Sequence, residues 1–210
     1  MIESYVQGID LADKASQMGW FFSNNMTGLF LVNHEDSPEI VDAVREKVST
    51  EIPLEIEAQF GKACEYGNPW AQNALAKHLI RKGRTDEAFP LLRKGMDVGY
   101  ATAYYTAAMM FFTDKDDQRH LEYLAASSRL GYPLATFELG KIDEETGNVN
   151  GAVRLFSMAK EQNLAKYNID GNLDTKISEH LIALSNKRTT EGKDGEKPWN
   201  QKFPLDSPEV

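Results

Sequence analysis

Four histidines, His34, His78, His120 and His180, are the side chains best suited to metal binding or proton transfer, and their spacing argues against both. None stands four residues from another histidine or beside a cysteine pair, so no set of ligands converges on one ion. They are expected as structural or surface imidazoles. The single cysteine, Cys64, has the chemistry of a nucleophile or redox thiol. It lies next to a small-residue position of a helix, where buried packing is the expected role. The carboxylates of "DKDDQ" (114–118) and "DEET" (143–146) are close enough together for acid/base or cation work. Both fall at turns between helices, where solvated turn residues and helix starts account for them. No Gly-rich phosphate loop, G-x-S-x-G elbow or zinc-protease helix occurs. The expectation is a chain that is not an enzyme and holds no metal or cofactor.

The elements that would position a working surface come from a repeat. Gly67, Gly99 and Gly131 lie 32 residues apart, with Asn163 one step further, and each is followed four residues on by Ala71, Ala103, Ala135 and Tyr167. Ala88, His120 and Ala152 share a column, as do Leu91, Tyr123 and Leu155, then Leu92, Leu124 and Phe156. Gly95, Ser127 and Ala159 form a small-residue column. Each unit divides into two helical patterns. In the first, Ala71, Ala74, Leu75, His78 and Leu79 follow i, i+3, i+4 spacing and "RKGRTD" closes the helix around Gly83. The second runs from Glu87 to about Val98 with Ala88, Leu91, Leu92 and Gly95 on one face. Small residues in fixed columns let two antiparallel helices approach closely, and pairs that cannot bury their apolar faces alone must stack.

These columns resemble the helical repeats of the Sel-one-like and tetratricopeptide kind over roughly residues 54–187. "ATFELGKIDEETGNVNGAVRLFSMAK" is the clearest copy, with Leu139, Gly140, Gly147, Ala152, Phe156 and Ala159 at the family's offsets. Gly95 followed by Gly99 is similar to the Sel-one-like junction, while the turn inside each pair has tetratricopeptide length. The resemblance implies an all-α, right-handed superhelical solenoid of antiparallel helix pairs, nine or ten helices in all. His120 departs from the family's Ala at the helix crossing, which implies either a slightly splayed pair or a hydrogen-bonded imidazole. The fourth unit loses the pattern. Its Leu173, Ile177, Leu181 and Leu184 make one apolar stripe with Asp174, Lys176 and Glu179 facing away, as a terminal capping helix requires.

Upstream, Asp36-Ser37-Pro38-Glu39 opens a helix whose apolar side is Ile40, Val41, Val44 and Val48. Residues 54–66 align with the second helix of a degenerate earlier unit, with Phe60 and Ala63 in the correct columns. "IDLADKASQMGWFFSNN" (9–25) reads as one amphipathic helix, and "GLFLVN" (28–33) as a short apolar segment, helix or strand. The chain thus divides into an acidic helical cap (1–53), the array with its capping helix (54–187) and a polar tail (188–210) expected to be flexible.

In repeats of this family the first helix of each pair lines a concave face, which implies a groove. Its positions are Trp70, Asn73, Lys77, Ile80 and Arg81 in the first unit, and Thr102, Tyr105, Met109 and Phe112 in the second. In the third they are Leu134, Phe137, Lys141 and Glu144. Aromatic, Met and Arg side chains are those in which interfaces concentrate their energy. The same Tyr105, Met109, Phe112 and Phe137 also suit inter-repeat core.

Charge narrows the partner. The 210 residues carry a formal net charge of −9, and residues 1–60 hold 11 Asp/Glu against 3 Lys/Arg. Such a chain lacks the basic face that nucleic acid or anionic lipid needs. One cysteine suits a reducing compartment, the first 20 residues lack a signal-peptide core, and no apolar run approaches the ~20 residues of a membrane span. The expected role is a cytoplasmic, non-enzymatic adaptor or regulator, monomer or weak dimer, holding a protein or peptide in the groove. The alternative is an immunity or antitoxin protein that blocks a toxin's active site. Its lure for a basic partner would be Glu35, Asp36, Glu39, Asp42, Glu46, Glu51, Glu55 and Glu57, opposed only by Arg45 and Lys47. The weakest alternative is an enzyme using the N-terminal region.

Overall fold

A computed structural model describes residues 2–17, 23–48, 55–113, 117–164 and 171–191. Among these residues every regular element is a helix. They are α1 (Ile2–Gln17), α2 (Ser23–Asn33), α3 (Pro38–Arg45), α4 (Ile56–Glu65), α5 (Pro69–Arg81) and α6 (Thr85–Asp97), then α7 (Ala101–Thr113), α8 (Asp117–Arg129), α9 (Pro133–Glu145), α10 (Val149–Gln162) and α11 (Gly171–Glu191). Helices α5, α7 and α9 begin 32 residues apart, and so do α6, α8 and α10. None is long and apolar enough to cross a membrane. "GLFLVN" is helical, within α2. The expected single helix over 9–25 is represented by the end of α1 and the start of α2, and its residues 18–22 lie outside the described ones, as do Asp114 to Asp116, Tyr167 and the tail from 192.

Helix ends follow local chemistry. Asn68 caps α5, its Oδ1 accepting from the backbone N–H of Trp70 (3.0 Å) and Ala71 (3.3 Å), and Pro69 fills the first turn, where a missing N–H costs nothing. At the other end Gly83, with φ of 76°, donates to the Ile80 carbonyl while Arg84 donates to Leu79, both at 2.9 Å. That pair of bonds is a Schellman cap, which needs the left-handed backbone glycine tolerates. The same two-bond pattern closes α4, α8 and α9 at Gly67, Gly131 and Gly147. Ser37 precedes α3 with Pro38 in its first turn, as expected, but its side chain makes no capping bond.

The chain forms two compact units, Met1–Val98 and Gly99–Val210. In the first, α1 packs on α2 and α3, α2 on α4, α4 on α5, and α5 on α6. Its N-terminal core joins Ile9, Phe30, Leu31 and Val44, with Ile40, Val41 and Val48 of the expected apolar side half-buried around them. Phe60 and Ala63 are fully buried. Phe60 has a partner that sequence reasoning missed: it lies against Gly28 of α2, where a Cβ would come within 2.6 Å of its ring.

In the second unit consecutive helices pack from α7 through α11. One core gathers Leu124, Tyr132, Leu139 and Leu155, another Phe137, Phe156, Leu173, Ile177 and Leu184. The stripe of α11 is therefore buried on the end of the second core, with Leu181 beside it. Asp174 does not simply face away; it accepts a 3.0 Å hydrogen bond from the buried Asn163. The small columns lie at close approaches, with Ala71, Ala103, Ala135, Ala152 and Ala159 showing no exposure. Gly140 passes Phe156 so closely that a Cβ would come within 2.7 Å of the ring. His120 resolves its two alternatives in favour of the hydrogen-bonded imidazole: it is buried, with Nδ1 2.8 Å from the Ala108 carbonyl.

Candidate functional site

Four of the expected groove residues come together in the first unit. On α5, Trp70, Asn73, Lys77 and Arg81 recur at three- and four-residue spacing and so share one side of the helix. They line a cavity of about 170 Å³ whose remaining wall is Ala74 of the same helix, Leu29 and Val32 of α2 and Phe60 of α4. Trp70 is 37% exposed and meets the Phe60 ring edge-on, with centroids 5.7 Å apart. Asn73, expected to point outward, is buried at 5% exposure, and its Oδ1 has no hydrogen-bond partner. The reason is that α2 lies beside α4 and encloses that side of α5 as well.

The two cations of this face differ. Lys77 keeps some exposed surface, and no carboxylate among the described residues pairs with it. Desolvation of its ammonium, with the like charge of Arg81 second, holds its pKa below the ordinary lysine value. Arg81, expected as a free groove cation, instead bonds Glu35 at 2.9 Å. Lys82 reaches the same carboxylate at 2.9 Å and the buried His78 stands 3.4 Å from it. The Lys82 hydrogen bond is the main reason that the Glu35 carboxyl is held below its ordinary range, with burial opposing it. Glu35 lies 46 residues before Arg81, a separation at which periodicity carries no signal.

The other expected positions scatter. Tyr105 and Met109 are half-buried against the Leu124 and Leu139 core, and burial pushes the Tyr105 phenol up to about 12. Phe112 is 61% exposed and packs only one side, with its centroid 5.0 Å from that of His120. Phe137, suited to either groove or core, is core: it is buried among Phe156, Ile177 and Leu184, because α11 covers that end of α9 and α10. Lys141 sits above Phe137 at 5.9 Å and is paired with Glu138 at 2.7 Å. Glu144 meets His180 at 2.6 Å.

The remaining chemical groups also acquire places. No cluster of three or more His, Cys, Asp or Glu able to hold a metal occurs among the described residues. Cys64 is half-buried, and desolvation lifts its thiol to about 11, so it is protonated at neutral pH. The "DEET" turn is not solvated throughout. Asp143 is fully buried, its carboxylate occupying the space that Gly151 leaves free in the first turn of α10. In the acidic segment Asp42 pairs with Arg45 and Glu57 with Arg84, while Asp36, Glu39 and Glu46 are exposed and Glu51 lies outside the described residues. Comparison with protein-family models and with curated protein sequences finds no match to this chain.

Proposed function

We propose that this chain is a non-enzymatic binding scaffold built from 32-residue helical repeats of the Sel-one-like and tetratricopeptide kind, including the right-handed array of antiparallel pairs that such repeats imply. The observation that carries the reading is the recurrence of helix starts at 69, 101 and 133 and again at 85, 117 and 149. The shared glycine caps support it. Helices packed on their neighbours within a unit present side chains at fixed spacing, so little receptor entropy is lost when a protein segment docks. Phe112 in the second unit and Trp70 in the first, each aromatic and partly exposed on the first helix of its pair, are two separate candidate contact surfaces. The acidic-plug alternative has less support, because Glu35, Asp42 and Glu57 are already engaged by cations of their own unit.

The test is partner capture by crosslinking from the source cell, followed by affinity measurement with Phe112→Ser and Trp70→Ser. Phe112→Ser removes an exposed ring and should leave melting unchanged while weakening the captured partner at least tenfold, about 1.4 kcal/mol. A partner that binds both variants as tightly as the parent chain overturns this assignment.

A further inference from the structure

The hollow beneath Trp70 has the dimensions and chemistry of a small-molecule site. Its volume of about 170 Å³ is close to the roughly 150 Å³ of an apolar cavity that takes up benzene. Leu29, Val32, Phe60, Trp70 and Ala74 supply apolar walls from three helices. Two polar features break that lining. Asn73 contributes a buried carbonyl oxygen with no hydrogen-bond partner, an arrangement that costs stability unless something donates to it. Lys77 contributes a cation that no described carboxylate neutralises, whereas its neighbour Arg81 is held by Glu35. The cavity thus lacks an apolar body, a hydrogen-bond donor and an anion.

We propose that the cavity formed by α2, α4 and α5 binds a small monoanionic aromatic acid carrying an O–H or N–H donor. The ring lies against the apolar wall that Leu29, Val32, Phe60 and Trp70 form, the donor reaches the Asn73 carbonyl, and the acid group faces Lys77. The lowered lysine pKa accords with this, since an incoming anion restores the charged form that desolvation disfavours. The site does not depend on the scaffold reading: a chain that captures no protein would still take the acid.

The probe is 4-hydroxyphenylacetate, titrated into the full chain while the Trp70 indole N–H is followed by NMR, its signal identified with Trp70→Phe. Two controls separate the parts of the ligand. The neutral alcohol 4-hydroxyphenylethanol keeps the ring and loses the charge, while acetate keeps the charge and loses the ring. The acid should shift the Trp70 signal saturably, the alcohol should bind roughly fivefold more weakly, as a partly exposed ion pair allows, and acetate should not saturate. Lys77→Met should abolish the preference for acid over alcohol, and Ala74→Leu should fill the hollow and remove binding. Melting curves check that each variant is folded. An acid that fails to saturate, an acetate response equal to it, or an unchanged preference in Lys77→Met overturns the proposal. Should Ala74→Leu fail to fold, the acetate and Lys77→Met arms still decide.

Discussion

In the first unit the ring of Phe60 lies against Gly28, and in the second the ring of Phe156 lies against Gly140. Both rings are fully buried, and in both crossings the absence of a Cβ makes room for a phenyl group. The partners are 16 residues apart in the second unit and 32 apart in the first, because residues 34–55, with α3 among them, lie between α2 and α4. The α2–α4 and α9–α10 crossings thus share a glycine facing a buried phenyl ring, and in the first α3 stands between the two helices in the chain. The columns add a second lesson. Where the second helix carries Leu92 or Leu124 in place of Phe156, the first carries Ala76 or Ala108 in place of Gly140, and all of these are buried. A smaller residue on the second helix thus goes with a larger one on the first, as close packing favours.

Deleting residues 171–210 should have the largest effect, because it uncovers only one of the two crossings. Leu173, Ile177 and Leu184 are buried against Phe137 and Phe156, so their loss exposes a contiguous apolar face. The truncated chain should self-associate and melt earlier, as read by light scattering and circular dichroism. A truncation that stays monomeric with unchanged melting would mean that α11 does not complete that core.

Gly140→Ala and Gly28→Ala come next. Each drives a methyl group into a phenyl ring and should cost about 1–3 kcal/mol in denaturant unfolding. If the two crossings are equivalent, Phe156→Leu should rescue Gly140→Ala and Phe60→Leu should rescue Gly28→Ala, recreating the Ala–Leu pairing of the neighbouring columns. Rescue in one crossing and not the other would break the comparison.

The smallest effect concerns how the inserted segment is tied back. Glu35 follows α2 and bonds Arg81 and Lys82 around the end of α5. A carboxylate whose pKa is lowered in the folded state takes up its proton more readily when unfolded. Its contribution is therefore present above its ordinary value of 4.5 and is lost as pH falls through the lower, folded value. Both partners are about half exposed, so Glu35→Gln should cost less than about 1 kcal/mol at pH 7. The difference from the parent chain should disappear in acid. A penalty that persists at pH 2 would assign the loss to packing.

Much of this packing was legible because a column of Ala and Gly has one physical meaning, close approach of two helices. Phe60, Phe156 and the apolar stripe of α11 are all buried. What the sequence concealed were the partners of those columns. Gly28 could not be matched to Phe60 because the insertion breaks the period, and "GLFLVN" has neither the alternation of a strand nor the face of an amphipathic helix. Asn73 is buried, and Phe137 takes the core place of the two that suited it, for a related reason: helices enclosed on several sides do not announce which side is open. α7, with "ATAYYTAAMMFFT", is apolar almost all the way round, and only packing distinguishes the exposed Phe112 from the buried Phe111 beside it.

The insertion of α3 also bears on how the chain folds. Crossings closed over 16 residues, as at Gly140 and Phe156, bring together neighbours that meet early in a collapsing chain. The α2–α4 crossing closes a loop twice as long, which adds about 0.6 kcal/mol of closure entropy before its contacts form. Folding should therefore start in the short-range pairs. Phe60 and the walls of the small cavity would be assembled late, and hydrogen exchange during refolding should find α4 protected after α9 and α10.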